Sequence, residues 1–208
     1  LIKRQIERRS LLRGMLGDST PIADLHGDER ITRLVEASGE VGLRPNLDRN
    51  EGTKIILKHP GASEGLTDLP MHTDCGNGFH SVACQMVLVG VHLERGSSRG
   101  GQLHMVAGSH RSTTPDPVVT DISTWPVVVL DTEPGDCTVH FSHTLHAAPP
   151  PTGGLGPDER PRRSIYACFA PPTLFEALDP FQDLTAVMQK DDGITATVDD
   201  LVPGHSGN

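Results

Sequence analysis

The chain is poor in aromatic side chains. One Trp, one Tyr and five Phe amount to 3% of its 208 residues, which argues against a pocket built on ring stacking. No apolar run approaches the roughly 18 residues needed to cross a bilayer, so no membrane segment is expected. Positive charge is not in excess. The formal net charge of −9 argues against a nucleic-acid binder, which would present a basic face, and gives no case for a polyanionic substrate. Four cysteines, Cys75, Cys84, Cys137 and Cys168, form no C-x-x-C pair. That excludes a zinc knuckle or a small disulfide scaffold and reads as packed thiols in a reducing compartment. There is no internal repeat and no low-complexity tract. The tail, His205-Ser206-Gly207-Asn208, carries no peroxisomal tripeptide, so the cytoplasm is the expected location. The first residue is Leu1 and not methionine, from which missing N-terminal sequence is expected.

What is present in quantity is histidine, with 11 copies crowding the middle of the chain, and that is where chemistry is sought. The length suits one domain with a sizeable core. Ile2, Ile6, Leu12 and Leu16 recur at near-helical spacing until Gly17–Pro21 breaks the pattern. The basic residues among them read as a solvated helix face or a partner contact. Asp28 is placed to cap a second helix through Ala37 that buries Ile31, Leu34 and Val35. Thereafter Thr53–Lys58, Val82–Leu93, Gln102–Ala107, Val127–Asp131, Cys137–Phe141 and Ser164–Ala170 read as strands bounded by Gly, Pro or Asp. Many short strands with such turns favour an antiparallel sandwich or barrel. The expected division is residues 1–40 as helical support, 53–170 as the β core, and 171–208 as a C-terminal helix, over Pro180–Lys190, with a tail. Two long irregular stretches, Ser112–Thr124 and Ala147–Pro161, are candidate lids.

Met71-His72-Thr73-Asp74 is the first motif with chemical content. In an extended segment residues i and i+2 face one side, so His72 and Asp74 can supply two ligands of a facial two-histidine, one-carboxylate iron site. Pro134-Gly135-Asp136 then turns into a strand followed by histidine-rich sequence, which can bring a third ligand. His140, His143 and His146 compete for that place. Arg162 and Ser164 share one face of the last strand by alternation, with Tyr166 and Cys168, while Arg163 points away. An arginine and a hydroxyl converging on one spot suit a dicarboxylate, since guanidinium binds carboxylate through two parallel hydrogen bonds.

With these motifs in order, the sequence resembles the phytanoyl-CoA dioxygenase family. The matching stretches are KHPG (Lys58–Gly61), LPMHTD (Leu69–Asp74), GGQLHMVAGSHR (Gly100–Arg111), PGDCTVHFSHTLHAA (Pro134–Ala148) and RPRRSIYACFAP (Arg160–Pro171), which together span more than half the chain. The resemblance implies a double-stranded β-helix, a jelly-roll sandwich with helices packed outside. It implies His72, Asp74 and His146 as ligands of Fe(II), and 2-oxoglutarate held by Arg162, with Ser164 beside it and Lys58 within reach. It further implies O₂-dependent oxidation of a small-molecule substrate, most often hydroxylation, with release of succinate and CO₂. Two departures stand out. Ala148 occupies a place where family members often carry serine, and Cys75-Gly76-Asn77-Gly78-Phe79 follows the first motif in place of aromatic residues.

The other histidines carry structural readings. His92 and His104 are expected as hydrogen-bonded strand residues and His110 as part of a turn. His80 is read as pocket rim or plain surface, and Cys75 as packing. Asp74 excludes a halogenase of the same fold, which replaces that carboxylate with a small residue. The alternatives left are a non-catalytic jelly roll that binds metal or 2-oxoglutarate, and a zinc hydrolase or isomerase, which would not need Arg162. Substrate identity and oligomeric state are not legible.

Overall fold

Short runs of Val, Ile, Leu and Thr between Gly- and Pro-bearing turns favour extended backbone, and the structure is built mainly of strands. It is a computed structural model that describes residues 11–13, 20–46, 52–59, 68–74, 85–111, 123–152, 161–177 and 195–197. Along the chain these form β1 (Leu11–Arg13), α1 (Thr20–Ala23), α2 (Glu29–Glu36), β2 (Arg44–Pro45), β3 (Thr53–Lys58) and β4 (Leu69–His72). There follow β5 (Val87–His92), β6 (His104–Val106), β7 (Val127–Val129), β8 (Cys137–Phe141), β9 (His146–Ala148), β10 (Arg162–Ala170), α3 (Pro172–Ala177) and β11 (Thr195–Thr197). Among these residues no helix is long and apolar enough to cross a membrane.

Two sheets result. One runs β11-β1-β3-β10-β5-β8, with β2 also on β10; the other runs β4-β9-β6-β7. The pairings are antiparallel except β1 with β11. This is the expected mainly-β jelly-roll sandwich with helices outside.

Strand β10 shows why the layers form. Its residues from Ser164 to Ala170 are buried without alternation, because both faces are covered. Ala167 and Phe169 join Val89 in a core that receives Ile31 and Val35 from α2. The helix presents Ile31, Leu34 and Val35 on one face at i, i+3 and i+4. Asp28 caps it as the sequence indicates, its carboxylate accepting from the Arg30 backbone N–H at 2.8 Å. Burying Ile31 and Val35 contributes about 1.5–3 kcal/mol each, more than an eight-residue helix gains alone. The opposite face of β10, carrying Arg162, Ser164 and Tyr166, is thereby turned toward the second sheet.

Several boundaries move. The helix expected over the first 16 residues does not form where it is described: Leu11–Arg13 is a strand pairing with β3 and β11. Backbone pairing at the open edge of β3 satisfies donors and acceptors that the edge would otherwise leave unpaired, and this outweighs a weak helical pattern. Ala147 and Ala148 belong to β9 and not to an irregular stretch. Residues 112–122 and 153–160 of the two proposed lids, the helix over Pro180–Lys190, and Cys75 and His80 lie outside the described residues.

Candidate metal centre and anion cradle

Register assembles the first half of the site. Across β3 and β10, Lys58 stands opposite Arg162, Ile56 opposite Ser164 and Lys54 opposite Tyr166. On the far side of β10, His92 stands opposite Ser164 and Gly90 opposite Tyr166. Strand β8 adds Thr138 opposite Gly90 and His140 opposite Leu88. Directly paired residues project to one face, so these side chains share the face turned away from α2. Gly90 is needed there. A Cβ at this position would lie 2.6 Å from Tyr166 Cε1 and 2.8 Å from Thr138 Oγ1.

The second half comes from the other sheet, where His72 pairs with His146 across β4 and β9. The H-x-D motif is not one extended segment: β4 ends at His72 and Asp74 sits in a bend. The bend still brings the groups together. Ligand atoms of His72, Asp74 and His146 all lie within 4.8 Å of one another. Asp74 Oδ1 is 3.9 Å from His72 Nε2, and its Oδ2 is 3.6 Å from His146 Nε2. His140, one of the competing histidines, reaches the same carboxylate oxygen, its Nε2 at 3.3 Å from Asp74 Oδ2. His143 has no place in the cluster.

The imidazoles are set in a particular way. His72 Nδ1 lies 2.7 Å from the Pro70 carbonyl and His146 Nδ1 lies 2.9 Å from the Thr144 carbonyl. A carbonyl only accepts, so each Nδ1 carries the proton and each Nε2 offers its lone pair toward Asp74. Such backbone bonds fix ligand tautomers in metalloproteins. Burial lowers the pKa of both histidines, keeping them neutral. At Asp74 burial pushes the pKa upward, but the neighbouring His146, His140 and Lys54 outweigh it and hold the carboxyl well below its usual range. Two neutral imidazoles and an ionised carboxylate converging on one point fit a divalent transition metal.

Between the sheets lies a cavity of about 50 Å³, walled in part by His72, Asp74, His146, Arg162, Lys54 and Tyr166. Arg162 is 5% exposed, and its Nε donates to the Gly100 carbonyl at 3.1 Å and its Nη1 to Ser164 Oγ at 3.0 Å. Both acceptors are neutral. Burial lowers its pKa, offset in part by Tyr166 and Glu94. Arg163 points the other way, as alternation requires, its Nε donating to Glu94 Oε1 at 2.7 Å. Lys58 and Ser164 are buried just behind the cavity wall, with the Lys58 ammonium donating to the Ala148 carbonyl. Burial, and then the charge of Arg162, pull Lys58 down to about 7. Lys54 is a wall residue that sequence reading passed over. The alternation of Thr53–Lys58 was the available signal, since it sets Lys54 on the face of Lys58.

No family model matches the chain, and no curated protein matches it. Solved structures do. The epimerase SnoN, in complex with Fe³⁺, alpha ketoglutarate and nogalamycin RO, superposes with a TM-score of 0.63 at 22% identity, over 78% of this chain and 63% of that one. The chain has the SnoN fold. AviO1 from Streptomyces viridochromogenes Tue57 gives 0.59 at 24% identity over 78% and 67%, and EctD from S. alaskensis with bound Fe gives 0.61 at 15% over 78% and 57%. This chain therefore spans about three fifths of the length of SnoN and of EctD. At these identities the likeness is one of fold.

Proposed function

We propose that the chain is a non-haem Fe(II)- and 2-oxoglutarate-dependent oxygenase acting with O₂ on a small organic molecule, most simply as a hydroxylase of the phytanoyl-CoA dioxygenase family. One observation carries the reading: a cavity wall holds two imidazoles whose Nε2 atoms face an ionised carboxylate, and a buried arginine whose hydrogen bonds go to neutral groups. A buried cation in such surroundings calls for an anion, and a hydrolytic zinc site has no use for it. Solved relatives of the fold carry iron, alpha ketoglutarate or both by their descriptions, which supports the same pair here.

In this reading His72, Asp74 and His146 would hold the iron, and Arg162 would bind a carboxylate of 2-oxoglutarate, to which a guanidinium is suited. Bound there, Fe(II) supplies the redox chemistry by which O₂ converts 2-oxoglutarate to succinate and CO₂ and hydroxylates a substrate C–H bond. The chain's own work is positional. The Pro70 and Thr144 carbonyls keep each ligand imidazole in its metal-binding tautomer, and His140 steadies the Asp74 carboxylate. Leu69, Leu88 and Leu103 line the same cavity and supply its apolar wall.

Anaerobic titration of Fe(II) and 2-oxoglutarate tests this. Wild type is expected to develop the weak visible metal-to-ligand charge-transfer band, which fades in Arg162→Ala and is absent in His72→Ala. Folded, iron-loaded wild type without the band would overturn the proposal.

A further inference from the structure

Behind Arg162 a row of polar side chains crosses the sheet away from the cavity. Ser164 Oγ is 3.0 Å from Arg162 Nη1 and 3.2 Å from His92 Nδ1, and His92 Nε2 is 3.1 Å from Thr138 Oγ1. Ser164 and His92 are 0% and 1% exposed. The four residues lie on three adjacent strands, β10, β5 and β8, and Gly90 leaves the room that Thr138 Oγ1 occupies.

Donor chemistry gives this row a direction. A guanidinium only donates, so Ser164 Oγ accepts from Arg162. The serine then has one proton left; the Tyr166 hydroxyl also lies beside it, but an imidazole nitrogen is the stronger acceptor, and the proton is assigned to the 3.2 Å bond to His92 Nδ1. Burial, then the Arg162 charge, lower His92 to about 4, so at neutral pH the imidazole carries a single proton. With Nδ1 accepting, that proton is on Nε2 and is donated to Thr138 Oγ1. The sequence Arg162 to Ser164 to His92 to Thr138 gives each of these three hydrogen bonds one donor and one acceptor, and leaves the other guanidinium N–H groups of Arg162 for the cavity. The tautomer is opposite to that of His72 and His146, whose Nδ1 atoms carry the proton.

We propose that His92 is a positioning residue: through Ser164 it holds the Arg162 guanidinium in the one rotation that presents its remaining N–H groups to an anion in the cavity. Nε is already fixed on the Gly100 carbonyl and Tyr166 also hydrogen-bonds the guanidinium, so the Ser164 bond at Nη1 is one of the contacts that together set the planar fork. Preorganisation of this kind matters because a bidentate pair gains its second bond only when the fork is already aligned. Ser164, which sequence reading placed beside the cosubstrate, becomes the link that aims the arginine. The inference rests on the 2-oxoglutarate reading above, extending it to residues that touch neither metal nor cosubstrate.

Two measurements test it on the intact chain. The first is the tautomer of His92 in the protein free of cosubstrate, by long-range ¹H–¹⁵N correlation, with the signal assigned by its loss in His92→Asn. A protonated Nε2 is expected, and a protonated Nδ1 would overturn the chain of donors whatever the cosubstrate is. The second is anaerobic affinity for Fe(II) and for 2-oxoglutarate. His92→Leu is expected to weaken 2-oxoglutarate about tenfold, the size of one hydrogen bond aiding a charged group, with Fe(II) affinity unchanged. His92→Asn, whose amide can accept from Ser164, is expected within about threefold of wild type. Thr138→Val is expected to fall between and carries the test if His92→Leu does not fold. In an Arg162→Ala background none of these changes should weaken binding further. Wild-type affinity in His92→Leu and Thr138→Val, equal loss of metal and cosubstrate, or full additivity with Arg162→Ala would overturn the role. A wild type that binds no 2-oxoglutarate at all would overturn the oxygenase reading instead, and the tautomer result would still decide the donor chain.

Discussion

Lys58 offers the sharpest quantitative consequence of the site. The residue is 1% exposed and pairs with Arg162 across β3 and β10. Burial and the arginine's charge together take it from 10.5 to about 7, which corresponds to about 5 kcal/mol against the charged form. In the free protein at pH 7 it is about half neutral. An anion bound at Arg162 cancels the repulsion and attracts the ammonium. A carboxylate within about 5 Å, at an effective dielectric constant near 20, is worth roughly 3 kcal/mol, or about two pH units. Lys58 should then titrate near 9 in the complex, and binding at pH 8 should take up about 0.8 proton. Since the bound state holds more protons, 2-oxoglutarate affinity must fall as pH rises, by roughly twentyfold between pH 7 and 9. Anaerobic calorimetry in two buffers of different ionisation enthalpy measures the uptake directly. Lys58→Met should show neither the uptake nor the slope. Absence of proton uptake in wild type, or an unchanged slope in Lys58→Met, would refute the reasoning. The same lowered pKa has a sign for stability. The unfolded chain holds more protons than the folded one between about pH 7 and 10.5, so the free protein should gain stability as pH rises through that window.

Two further predictions concern the scaffold. Gly90→Ala drives a methyl against Tyr166 and Thr138 and should cost about 1–3 kcal/mol, read as a fall in Tm; an unchanged Tm would mean the strand moves aside freely. Ser109 is fully buried, its Oγ donating to the Val106 carbonyl at 2.8 Å and accepting from the Leu145 N–H at 2.9 Å. Ser109→Ala strands both groups and should cost about 2–3 kcal/mol, or roughly 5–10 °C in Tm. Because Leu145 precedes His146, the variant should also weaken metal binding, measured by Fe(II) titration.

Much of this was legible in residue patterns because the physics is local. The two-residue period of an extended strand assigns successive side chains to opposite faces, and it sorted Arg162 and Ser164 from Arg163 correctly. Asp28 announced its helix because capping depends on a few neighbouring residues. The Leu11–Arg13 segment was misread for the complementary reason. A weak helical spacing lost to pairing with an edge strand more than forty residues away, and nothing in the local sequence records that edge.

The sequence by itself determined which residue types the chain can bring to bear: a histidine and a carboxylate two residues apart, a later histidine, and an arginine on the inner face of a β strand. Short-range periodicity and composition suffice for that, since they depend on bonds and on burial averaged over a few residues. Only the tertiary structure decided that His140 reaches Asp74 and that Lys54 faces the cluster of His72, Asp74 and His146. It also decided that Ser164 leans on His92 and that Gly90 clears space for Thr138. Those relations join strands distant in sequence through register and sheet packing, where a shift of one residue would turn every one of these side chains to the other face.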